Sequence, residues 1–447
     1  MTTGDKKTAS LVTLGCKANQ FESEAMREQL EAAGYRIRPF EAGAELVVVN
    51  SCTVTAATDA QTRKLVRRAR RLNADCRIVV TGCAAQVQPD MFRDLPGVVH
   101  VLGNMEKERL IDILRGDGPC VQVGDIRQAK QCPDLTISSF TQHSRAFVQI
   151  QSGCDAFCSY CIIPFARGPS RSVAVDRVVD QVQLLVAAGY AEVVLTGIHI
   201  GRYGRDLETP TDLVGLLDQL LARTSVERLR LGSVEPQEIS APLIELLATS
   251  SRLCRHLHIP LQSGCDHILE RMNRHYRAEE FCLLVACLKQ RFPDLGIGLD
   301  VMTGFPGESA EAFEQTFALL EALPFSYLHA FPYSARPGTV AASLGGRVDG
   351  AVARQRAERL RVLAQKKKQL FLQQFMDQKV DVVFEQRPLA FAGEKKWRDA
   401  AANGDLWPGL TGEYLPLVCS SAVPLGGLCR AVQVVGCDGE RLIGTCC

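Results

Sequence analysis

Short apolar runs alternate with helical patterns along the first quarter of the chain. Three runs are continuous and rich in β-branched residues, at 11–14, 46–49 and 77–80. A helical stretch at 20–33 follows the first run and ends at Gly34. Continuous apolar strands separated by helices are typical of a parallel sheet that is covered on both faces. We therefore predict an N-terminal α/β domain with a parallel sheet over residues 1–122.

The same alternation returns between residues 145 and 378. Six runs have strand character, at 146–150, 191–195, 228–231, 256–259, 298–301 and 326–329. Helical patterns lie between these runs, at 176–189, 211–223, 238–249, 266–273, 278–291 and 309–322. Six strands in βα order predict a (β/α)6 partial barrel, in which chemistry takes place at the C-terminal strand ends.

Two further changes of pattern divide the chain. Glycines, prolines and weak periodicity around 116–145 indicate a linker, which we place at 123–144. A charged helical stretch at 350–377 is followed by short β-like runs between turn residues, at 380–385, 413–418, 429–435 and 440–444. These runs predict a third, small all-β barrel over residues 379–447.

The composition, with 46% hydrophobic and 23% charged residues, is that of an ordinary globular protein. The net charge of +1 neither favours nor excludes nucleic acid, so any nucleic-acid footprint has to be local. The first seven residues lack the apolar region of a signal peptide, and no run of about 18 apolar residues predicts a membrane span. Eighteen cysteines without a secretory signal indicate a reducing compartment, so we expect a cytoplasmic protein.

Three cysteines directly follow the first strand of the predicted barrel. Cys154, Cys158 and Cys161 have the spacing C-x3-C-x2-C, which lets one loop direct three thiolates at one point. Closed zinc sites have four ligands, and iron–sulfur clusters are commonly held by four cysteines. Three ligands leave one position open for a reacting molecule. We interpret the loop as the catalytic site of a 4Fe–4S cluster with one open iron.

A second set of cysteines follows the strands of the N-terminal domain. Cys16, Cys52 and Cys83 each lie just past the C-terminal end of a predicted strand. In an open α/β sheet these ends lie along one edge, where ligands bind. A single cysteine there would more often be a small buried hydrophobe, but three such placements favour a shared site. We predict that these residues hold a second metal cluster.

Other candidate residues leave alternatives open. Basic residues that share one helical face between the second and third of these cysteines could bind phosphates or could simply be solvated. They are Arg63, Lys64, Arg67, Arg68 and Arg71. His256 and His258 alternate along a strand, which allows metal binding but favours a barrel-lining role without a third ligand. The tail cysteines lack C-x2-C pairing and would bind zinc only if four of them converged. They are Cys419, Cys429, Cys437, Cys446 and Cys447.

Taken together, these motifs resemble those of the radical S-adenosylmethionine methylthiotransferases over nearly the whole chain. Residues 14–20, 50–55 and 81–84 resemble the auxiliary-cluster motifs, and residues 154–172 resemble the radical-forming loop. Residues 192–199 and 331–336 resemble the subgroup that modifies N6-threonylcarbamoyladenosine next to the anticodon of tRNA. The β-rich tail resembles the RNA-binding TRAM domain of the family.

The resemblance implies two 4Fe–4S clusters and S-adenosylmethionine as cofactors. The first cluster would generate a 5′-deoxyadenosyl radical that takes hydrogen from an adenine carbon, the second would carry sulfur, and a second S-adenosylmethionine would supply the methyl group. Strand-end positions favour four residues for holding S-adenosylmethionine: Thr196, Gly197, Glu235 and Gln262. The implied partners are tRNA and an electron donor such as flavodoxin or ferredoxin, with no membrane.

Two kinds of alternative remain at this point. Within the same chemistry, the substrate could be isopentenyladenosine or an aspartate of a ribosomal protein. From a different class, the chain could be a non-catalytic RNA-binding protein in which both cysteine sets hold zinc.

Overall fold

The computed structural model describes residues 7–140, 143–389 and 404–446. Cys447 lies outside these ranges, as do residues 1–6, which are part of the stretch predicted not to be a signal peptide. Within the described ranges, no helix is long and apolar enough to cross a membrane.

The N-terminal part of the chain forms the predicted parallel sheet, with six strands in the order β2-β1-β3-β4-β5-β6. The strands are β1 Thr8–Thr13, β2 Arg36–Ile37, β3 Leu46–Ser51, β4 Arg77–Gly82, β5 Val98–Leu102 and β6 Val121–Gln122. The helices are α1 Lys17–Ala32, α2 Ala56–Leu72, α3 Cys83–Val87, α4 Asp90–Arg93 and α5 Leu110–Arg115. Val47 and Val49 pack into the core on one face, and Leu46 and Val48 pack into the core on the other. Both faces are buried, which explains the continuous apolar runs.

Three strands of this sheet are not predicted by the sequence pattern. β2 and β6 are two-residue strands at the sheet edges, too short to give a periodic signal. β5 contains the buried His100, whose polar side chain interrupts the apolar run. The sheet is therefore twice as wide as its predicted strands indicate.

The second part of the chain is the predicted six-stranded parallel partial barrel. Its strands are β7 Arg145–Gln149, β10 Glu192–Thr196, β11 Arg228–Leu231, β12 His256–His258, β13 Gly296–Thr303 and β14 Tyr327–Pro332, and a hairpin of β8 Gln151–Ser152 and β9 Arg171–Ser172 flanks them. Parallel bridges between β11 and β12, including Ser233 to His258, complete the curved sheet. The helices are α6 Ile163–Arg167, α7 Val175–Ala187, α8 Leu213–Arg223, α9 Ala241–Thr249, α10 Asp266–Arg271, α11 Ala278–Arg291, α12 Ala310–Ala322, α13 Val340–Ser343 and α14 Gly350–Gln373.

Register pairs identify the side chains that face the interior of this barrel. Paired residues on neighbouring strands point to the same face, so Arg145, Glu192 and Arg228 lie side by side, as do Asp300 and His329. Aliphatic residues at alternate positions pack against the helices. The barrel interior is thus lined largely by charged and aromatic groups.

The tail forms the predicted barrel, closed in the order β15-β16-β17-β19-β18. Its strands are β15 Lys379–Phe384, β16 Asp405–Thr411, β17 Pro416–Ser421, β18 Cys429–Cys437 and β19 Leu442–Cys446. The sequence pattern does not predict β16, because Pro408 and Gly409 together indicate a turn. The prediction that a strand begins at Glu413 is wrong, because this residue lies in the turn before β17.

The tail barrel closes the N-terminal end of the partial barrel. Arg228 and Arg230 donate hydrogen bonds of 2.8 to 3.2 Å to backbone carbonyls of the tail. Glu192 is fully buried between the two guanidinium groups. A Cβ on Gly296 would lie 2.0 Å from the carbonyl oxygen of Glu413, so the tail contacts the backbone of β13 directly. The opposite end of the barrel is left for chemistry.

Candidate active site

The C-x3-C-x2-C motif lies in the loop between β8 and α6, which follows the C-terminal end of β7. Gly153 begins this loop with φ +76°, and a Cβ there would lie 1.8 Å from the carbonyl oxygen of Pro169. Only glycine permits this backbone approach, so the loop depends on it. The amide of Cys154 then donates to the carbonyl of Gly168 at 3.0 Å, which closes the loop on itself.

The thiols of this loop are poorly solvated. Burial, together with the neighbouring Cys158 and Cys154, raises the pKa of the Cys161 thiol to about 12. Burial also raises the pKa of Cys158, against the opposing charge of Arg274. Metal ligation needs thiolates, and three of them in this environment need a compensating positive charge. The donor set therefore fits an iron cluster bound by all three cysteines.

His199 links the first cysteine of the loop to an acidic residue. Its Nδ1 lies 3.5 Å from Sγ of Cys154, and its Nε2 lies 2.8 Å from Oε1 of Glu238. Burial opposes the charged imidazole, but Cys154 and Glu238 together raise the pKa of His199 to about 9. The imidazole is thus held beside the cysteine loop by a partner on each side.

Arg274 occupies the corresponding place beside the second cysteine. Its Nη1 lies 3.5 Å from Sγ of Cys158 and 3.1 Å from Oε1 of Glu235. Together with His199, these three residues line a cavity of about 320 Å³ at the mouth of the barrel. A second cavity, of about 870 Å³, lies between the linker and α7, and none of the six motif cysteines lines it.

The residues predicted to hold S-adenosylmethionine fall into two groups. Glu235 lines the 320 Å³ cavity, although its carboxylate is already paired with Arg274. Thr196 is buried at the end of β10, and neither it nor Gly197 lines this cavity. A Cβ on Gly197 would lie 2.9 Å from the carbonyl oxygen of Gln151, so the turn itself requires glycine.

Gln262 does not line this cavity either, but its backbone and side chain are both unusual. Its φ is +63°, a conformation that costs a non-glycine residue about 1–3 kcal/mol and is concentrated at functional sites. Its Oε1 is buried, and no group in the described ranges hydrogen-bonds to it. Buried carbonyl oxygens normally have a donor, so this oxygen is available to a bound molecule.

The other three cysteines meet at neighbouring strand ends of the N-terminal sheet. Cys16 follows β1, Cys52 follows β3 and Cys83 begins α3 directly after β4. Burial raises the pKa of the Cys52 thiol to about 11, and the nearby Cys83 and Cys16 raise it as well. Three cysteines distant in sequence thus form one group, whose thiols again require a positive charge to ionise.

The backbone around this second triad is held tightly. A Cβ on Gly15, where φ is +93°, would lie 2.8 Å from Sγ of Cys52. Nδ2 of Asn19 donates to the carbonyls of Leu14 and Ser51, at 2.7 and 3.0 Å. One side chain therefore fastens together the loops that carry Cys16 and Cys52.

Arg167 connects the two cysteine sites. It ends α6, just beyond the barrel loop, and donates to Oε1 of Glu22 in the N-terminal domain at 2.7 Å. Lys107 pairs with the same carboxylate. Burial opposes ionisation of Glu22, but the two cations outweigh it and lower the pKa of Glu22 to about 2. Burial also disfavours the guanidinium, yet Glu22, Cys83 and Cys16 raise the pKa of Arg167.

The spacing of the cysteines argues against single zinc ions. A Zn–S bond of about 2.3 Å places the ligands of one tetrahedral zinc roughly 4 Å apart. In the described part of the chain, one group of three potential ligands has its atoms within 4.8 Å of one another, namely His258, Asp300 and His329. By this criterion, neither cysteine triad forms a single-ion site within the described residues.

The two histidines of β12 line the barrel, and the structure places beside His258 two further potential ligands that the strand pattern lacks, Asp300 and His329. Nε2 of His256 and Nδ1 of His258 contact Oη of Tyr327 at 2.9 and 3.0 Å. His258 and His329 each lie 3.1 Å from the carboxylate of Asp300. Burial opposes ionisation of Asp300, but the two imidazoles lower its pKa. The sequence pattern does not predict Asp300 and His329 here, because they come from other strands.

Lys17 reaches the barrel interior from the N-terminal domain. It directly follows Cys16, and its Nζ lies 5.9 Å from the ring centres of both Phe147 and Tyr414. Burial lowers the pKa of its ammonium to about 8, and the charge of Arg230 contributes. The N-terminal domain, the partial barrel and the tail all meet at this side chain.

The basic residues of α2 are mostly exposed. Arg63 is half-buried, and its Nη1 lies 3.1 Å from Sδ of Met91. It therefore does not lie on the exposed basic face that the sequence predicts. The exposed members are Lys64, Arg67, Arg68 and Arg71. Arg68 pairs with Glu41. The face keeps enough free positive charge to contact phosphates.

The tail cysteines do not form a four-ligand site within the described residues. The sulfurs of Cys419 and Cys446 lie 3.3 Å apart on neighbouring strands. Cys429 lies instead beside Arg228 of the partial barrel. Of the described tail cysteines, no three come within 4.8 Å of one another, so the zinc hypothesis for the tail gains no support.

Several residues of the site have no signal in the sequence pattern. Glu22, Lys107 and Arg274 lie outside the cysteine motifs of the sequence. Arg167 and His199 lie within the motifs at 154–172 and 192–199. Their position in these motifs could have identified them as candidate site residues. Their partners could not be named, because each contact crosses between elements.

Comparison with known proteins gives matches over both large parts of the chain. The family described as Uncharacterized protein family UPF0004 matches residues 8–103, and the Radical SAM superfamily matches residues 148–320. The threonylcarbamoyladenosine tRNA methylthiotransferase MtaB of Bacillus subtilis (strain 168) is 41% identical, over 85% of this chain and 85% of its own. The Aquifex aeolicus (strain VF5) protein of the same name is 38% identical, over 80% and 88%. A tRNA-2-methylthio-N(6)-dimethylallyladenosine synthase of Geobacter metallireducens is 35% identical, over 80% and 82%.

Solved structures support the fold. The radical S-adenosylmethionine methyltransferase TsrM from Kitasatospora setae, with cobalamin and a [4Fe-4S] cluster bound, superposes with a TM-score of 0.56. The match covers 75% of this chain and 77% of that one at 18% identity, so it shows the fold alone. The curated relatives are far more similar in sequence and span most of both chains. This chain belongs to the radical S-adenosylmethionine methylthiotransferase family.

Proposed function

We propose that this protein transfers a methylthio group to N6-threonylcarbamoyladenosine next to the anticodon of tRNA. The observation that carries the proposal is the pair of cysteine triads, joined through Arg167 and Glu22. One triad alone would serve radical formation and leave no site for sulfur. The relatives whose names specify threonylcarbamoyladenosine tRNA match most of the chain.

We assign one 4Fe–4S cluster to Cys154, Cys158 and Cys161, and a second to Cys16, Cys52 and Cys83. When bound, the first supplies an open iron and an electron for cleaving S-adenosylmethionine to a 5′-deoxyadenosyl radical, and the second supplies sulfur. The poorly solvated thiols and the wide spacing of both triads support this assignment. An electron donor such as flavodoxin or ferredoxin completes the requirements.

The side chains around the first triad would position S-adenosylmethionine. Gln262 offers a buried carbonyl oxygen without a partner, and Glu235 is held in place by Arg274. Thr196 and Gly197 lie at the neighbouring strand end. Both would contribute backbone groups, and Thr196 would also contribute its hydroxyl. The tail packs against the far end of the barrel and shields that end from water.

Recognition of tRNA is assigned to two surfaces. The exposed cations of α2 would contact phosphates, since Lys and Arg supply most sequence-independent affinity. The closed tail barrel would act as a TRAM-like RNA-binding domain. This assignment divides the chain into an N-terminal domain at 1–122, a linker at 123–144, a radical domain at 145–378 and the tail at 379–447.

Mass spectrometry of tRNA nucleosides tests the function directly. Deleting the gene should abolish 2-methylthio-N6-threonylcarbamoyladenosine and leave its unthiolated precursor. The wild-type chain should restore the product, and Cys52→Ala and Cys158→Ala should not. An unchanged level of the product in the deletion strain contradicts the proposal, and loss of methylthio-isopentenyladenosine instead would identify the alternative substrate.

Metal analysis separates the enzyme from the non-catalytic alternative. Two clusters predict about eight irons per chain after anaerobic reconstitution, each triad accounting for about four. Cys52→Ala should retain about half of the iron. Zinc in place of iron would favour a metal-stabilised RNA-binding protein.

A further inference from the structure

The junction between the domains holds a cation without a counter-ion. The Lys17 ammonium lies between the rings of Phe147 and Tyr414, at 5.9 Å from each centre. Within the described ranges, it has no ion pair and no hydrogen bond. Cation–π contacts hold it in place but leave its donors free for a ligand.

The carboxylates near Lys17 already form ion pairs or hydrogen bonds with other residues. Glu192 is shared by Arg228 and Arg230 and is fully buried between them. Glu385 accepts from the Ser144 hydroxyl at 2.7 Å and lies 3.4 Å from Arg145. Nε of Arg145 is buried and has no partner in the described part of the chain. Cations therefore outnumber carboxylates around Lys17. This excess of positive charge favours the binding of an anion at the junction.

The position of Lys17 beside the sulfur-carrying site connects the bound anion with the substrate of the reaction. Lys17 directly follows Cys16, one of the residues assigned to the sulfur-carrying site. In adenine, the carbon that receives sulfur and the N6 substituent lie on the same edge of the ring, on either side of N1. A base that presents this edge to the Cys16 site turns its N6 substituent toward the same side, and Lys17 is the cation next to Cys16 in the sequence.

The N6 substituents of the candidate substrates differ in charge. The threonylcarbamoyl group ends in a free carboxylate, whereas an isopentenyl group is apolar and an unmodified adenine has neither. On the basis of the proposed function, we infer that Lys17 binds the carboxylate of the threonylcarbamoyl group and makes the enzyme specific for it. Tyr414 forms one wall of this subsite, so the tail takes part in substrate selection.

A pair of RNA ligands tests this inference. One is an anticodon stem-loop bearing N6-threonylcarbamoyladenosine, and the other is the same stem-loop with the threonine carboxylate converted to its methyl ester. Their affinities are measured by fluorescence anisotropy on the full-length, anaerobically reconstituted protein. We expect the wild-type chain to prefer the acid by about tenfold or more, the loss expected when a charge-assisted hydrogen bond is removed.

In Lys17→Gln, both ligands should bind with the affinity of the ester, whereas Lys17→Arg should keep part of the preference. Lys366→Gln, the same loss of charge on the exposed face of α14, should leave the ratio unchanged. The ratio compares two ligands on one sample, so it does not depend on the folded fraction. A preference that survives in Lys17→Gln, or a wild-type chain that binds both ligands alike, overturns the inference. Either result leaves the proposed function standing if cells still contain the methylthiolated nucleoside.

Discussion

Individual buried charges hold the two halves of this site together. Glu22 is 2% exposed and balances both Arg167 and Lys107, which are 1% and 0% exposed. Charges at this depth are stable only with their partners, since removing one leaves the others uncompensated in a medium of low polarity. The Glu22 carboxylate therefore neutralises the buried cations at the contact between the cysteine loop and the N-terminal domain, where Asn19 and Asn104 add hydrogen bonds.

Replacing this carboxylate should destabilise the protein strongly. Glu22→Gln is expected to lower the free energy of unfolding by about 3–5 kcal/mol, because two buried cations lose their counter-ion. Urea unfolding of the reconstituted protein measures the change. Glu31→Gln is the control, since the Glu31 side chain is 45% exposed beside Arg27 and should cost about 1 kcal/mol or less. Equal losses in the two variants would contradict this account.

The start of the cysteine loop is sensitive to one methyl group. Gly153→Ala would place a Cβ 1.8 Å from the Pro169 carbonyl at a backbone φ of +76°, so the loop cannot close. We expect this variant to lose about half of the reconstituted iron, namely that of one cluster of the two. Gly345→Ala is the matched control, because a Cβ there meets no atom within 4 Å. Full iron content in Gly153→Ala would show that the loop tolerates the side chain.

At the scale of elements, α2 illustrates how one helix serves the core and the surface. Thr62, Val66 and Ala69 are buried against the sheet, and the cations at the intervening positions face outward. Its N-terminus is capped by Thr55, whose side chain accepts from the Thr58 amide. A well-anchored helix thus presents a rigid row of positive charge.

Loss of charge from this row should weaken tRNA binding without regard to base modification. The triple variant Lys64→Gln, Arg67→Gln, Arg71→Gln is expected to reduce the salt dependence of binding by roughly two units of slope. Affinities at several salt concentrations, with modified and unmodified tRNA, measure this effect. Arg63→Gln removes a charge from the same helix at its half-buried side and should change the slope little. An unchanged slope in the triple variant would place tRNA elsewhere.

At the scale of the whole molecule, the tail is part of the enzyme's core. Arg228 and Arg230 direct their guanidinium groups into backbone carbonyls of the tail. The end of α14 contributes Phe371 and Leu372 to the core of the tail barrel. The tail therefore completes the partial barrel.

Removing the tail should consequently damage the barrel. Truncation after residue 378 removes the tail carbonyls that accept from Arg228 and Arg230 and leaves these guanidinium groups paired with Glu192 alone, at a cost of about 1–3 kcal/mol for each, and it exposes apolar side chains of α14. We expect a lower melting temperature and loss of amide protection in β11 by hydrogen exchange. Arg430→Gln, at an exposed position of the intact tail, should behave as wild type. A truncated chain that melts like the full chain would show that the tail is independent.

The sequence predicted much of the fold because its signals are local. Apolar runs identified the six barrel strands and three of the six N-terminal strands, and the positions of Cys16, Cys52 and Cys83 at strand ends indicated their convergence. The failures have physical causes. A two-residue edge strand is too short to show periodicity. In β16, the dipeptide of Pro408 and Gly409 is typical of a turn, although it lies within a strand.

By itself, the sequence determined which cysteines are candidate cluster ligands and which strands they follow. Strand periodicity and cysteine spacing are local patterns, so they can be recognised without the tertiary structure. Only the tertiary structure decided what each of them meets. The pairing of Arg167 with Glu22, the contact of the Lys17 ammonium with the Tyr414 ring, and the tail carbonyls that accept from Arg230 all join distant elements. Contacts of this kind follow from how sheets and barrels pack, and burial then sets their charges and strengths, so no local pattern contains them.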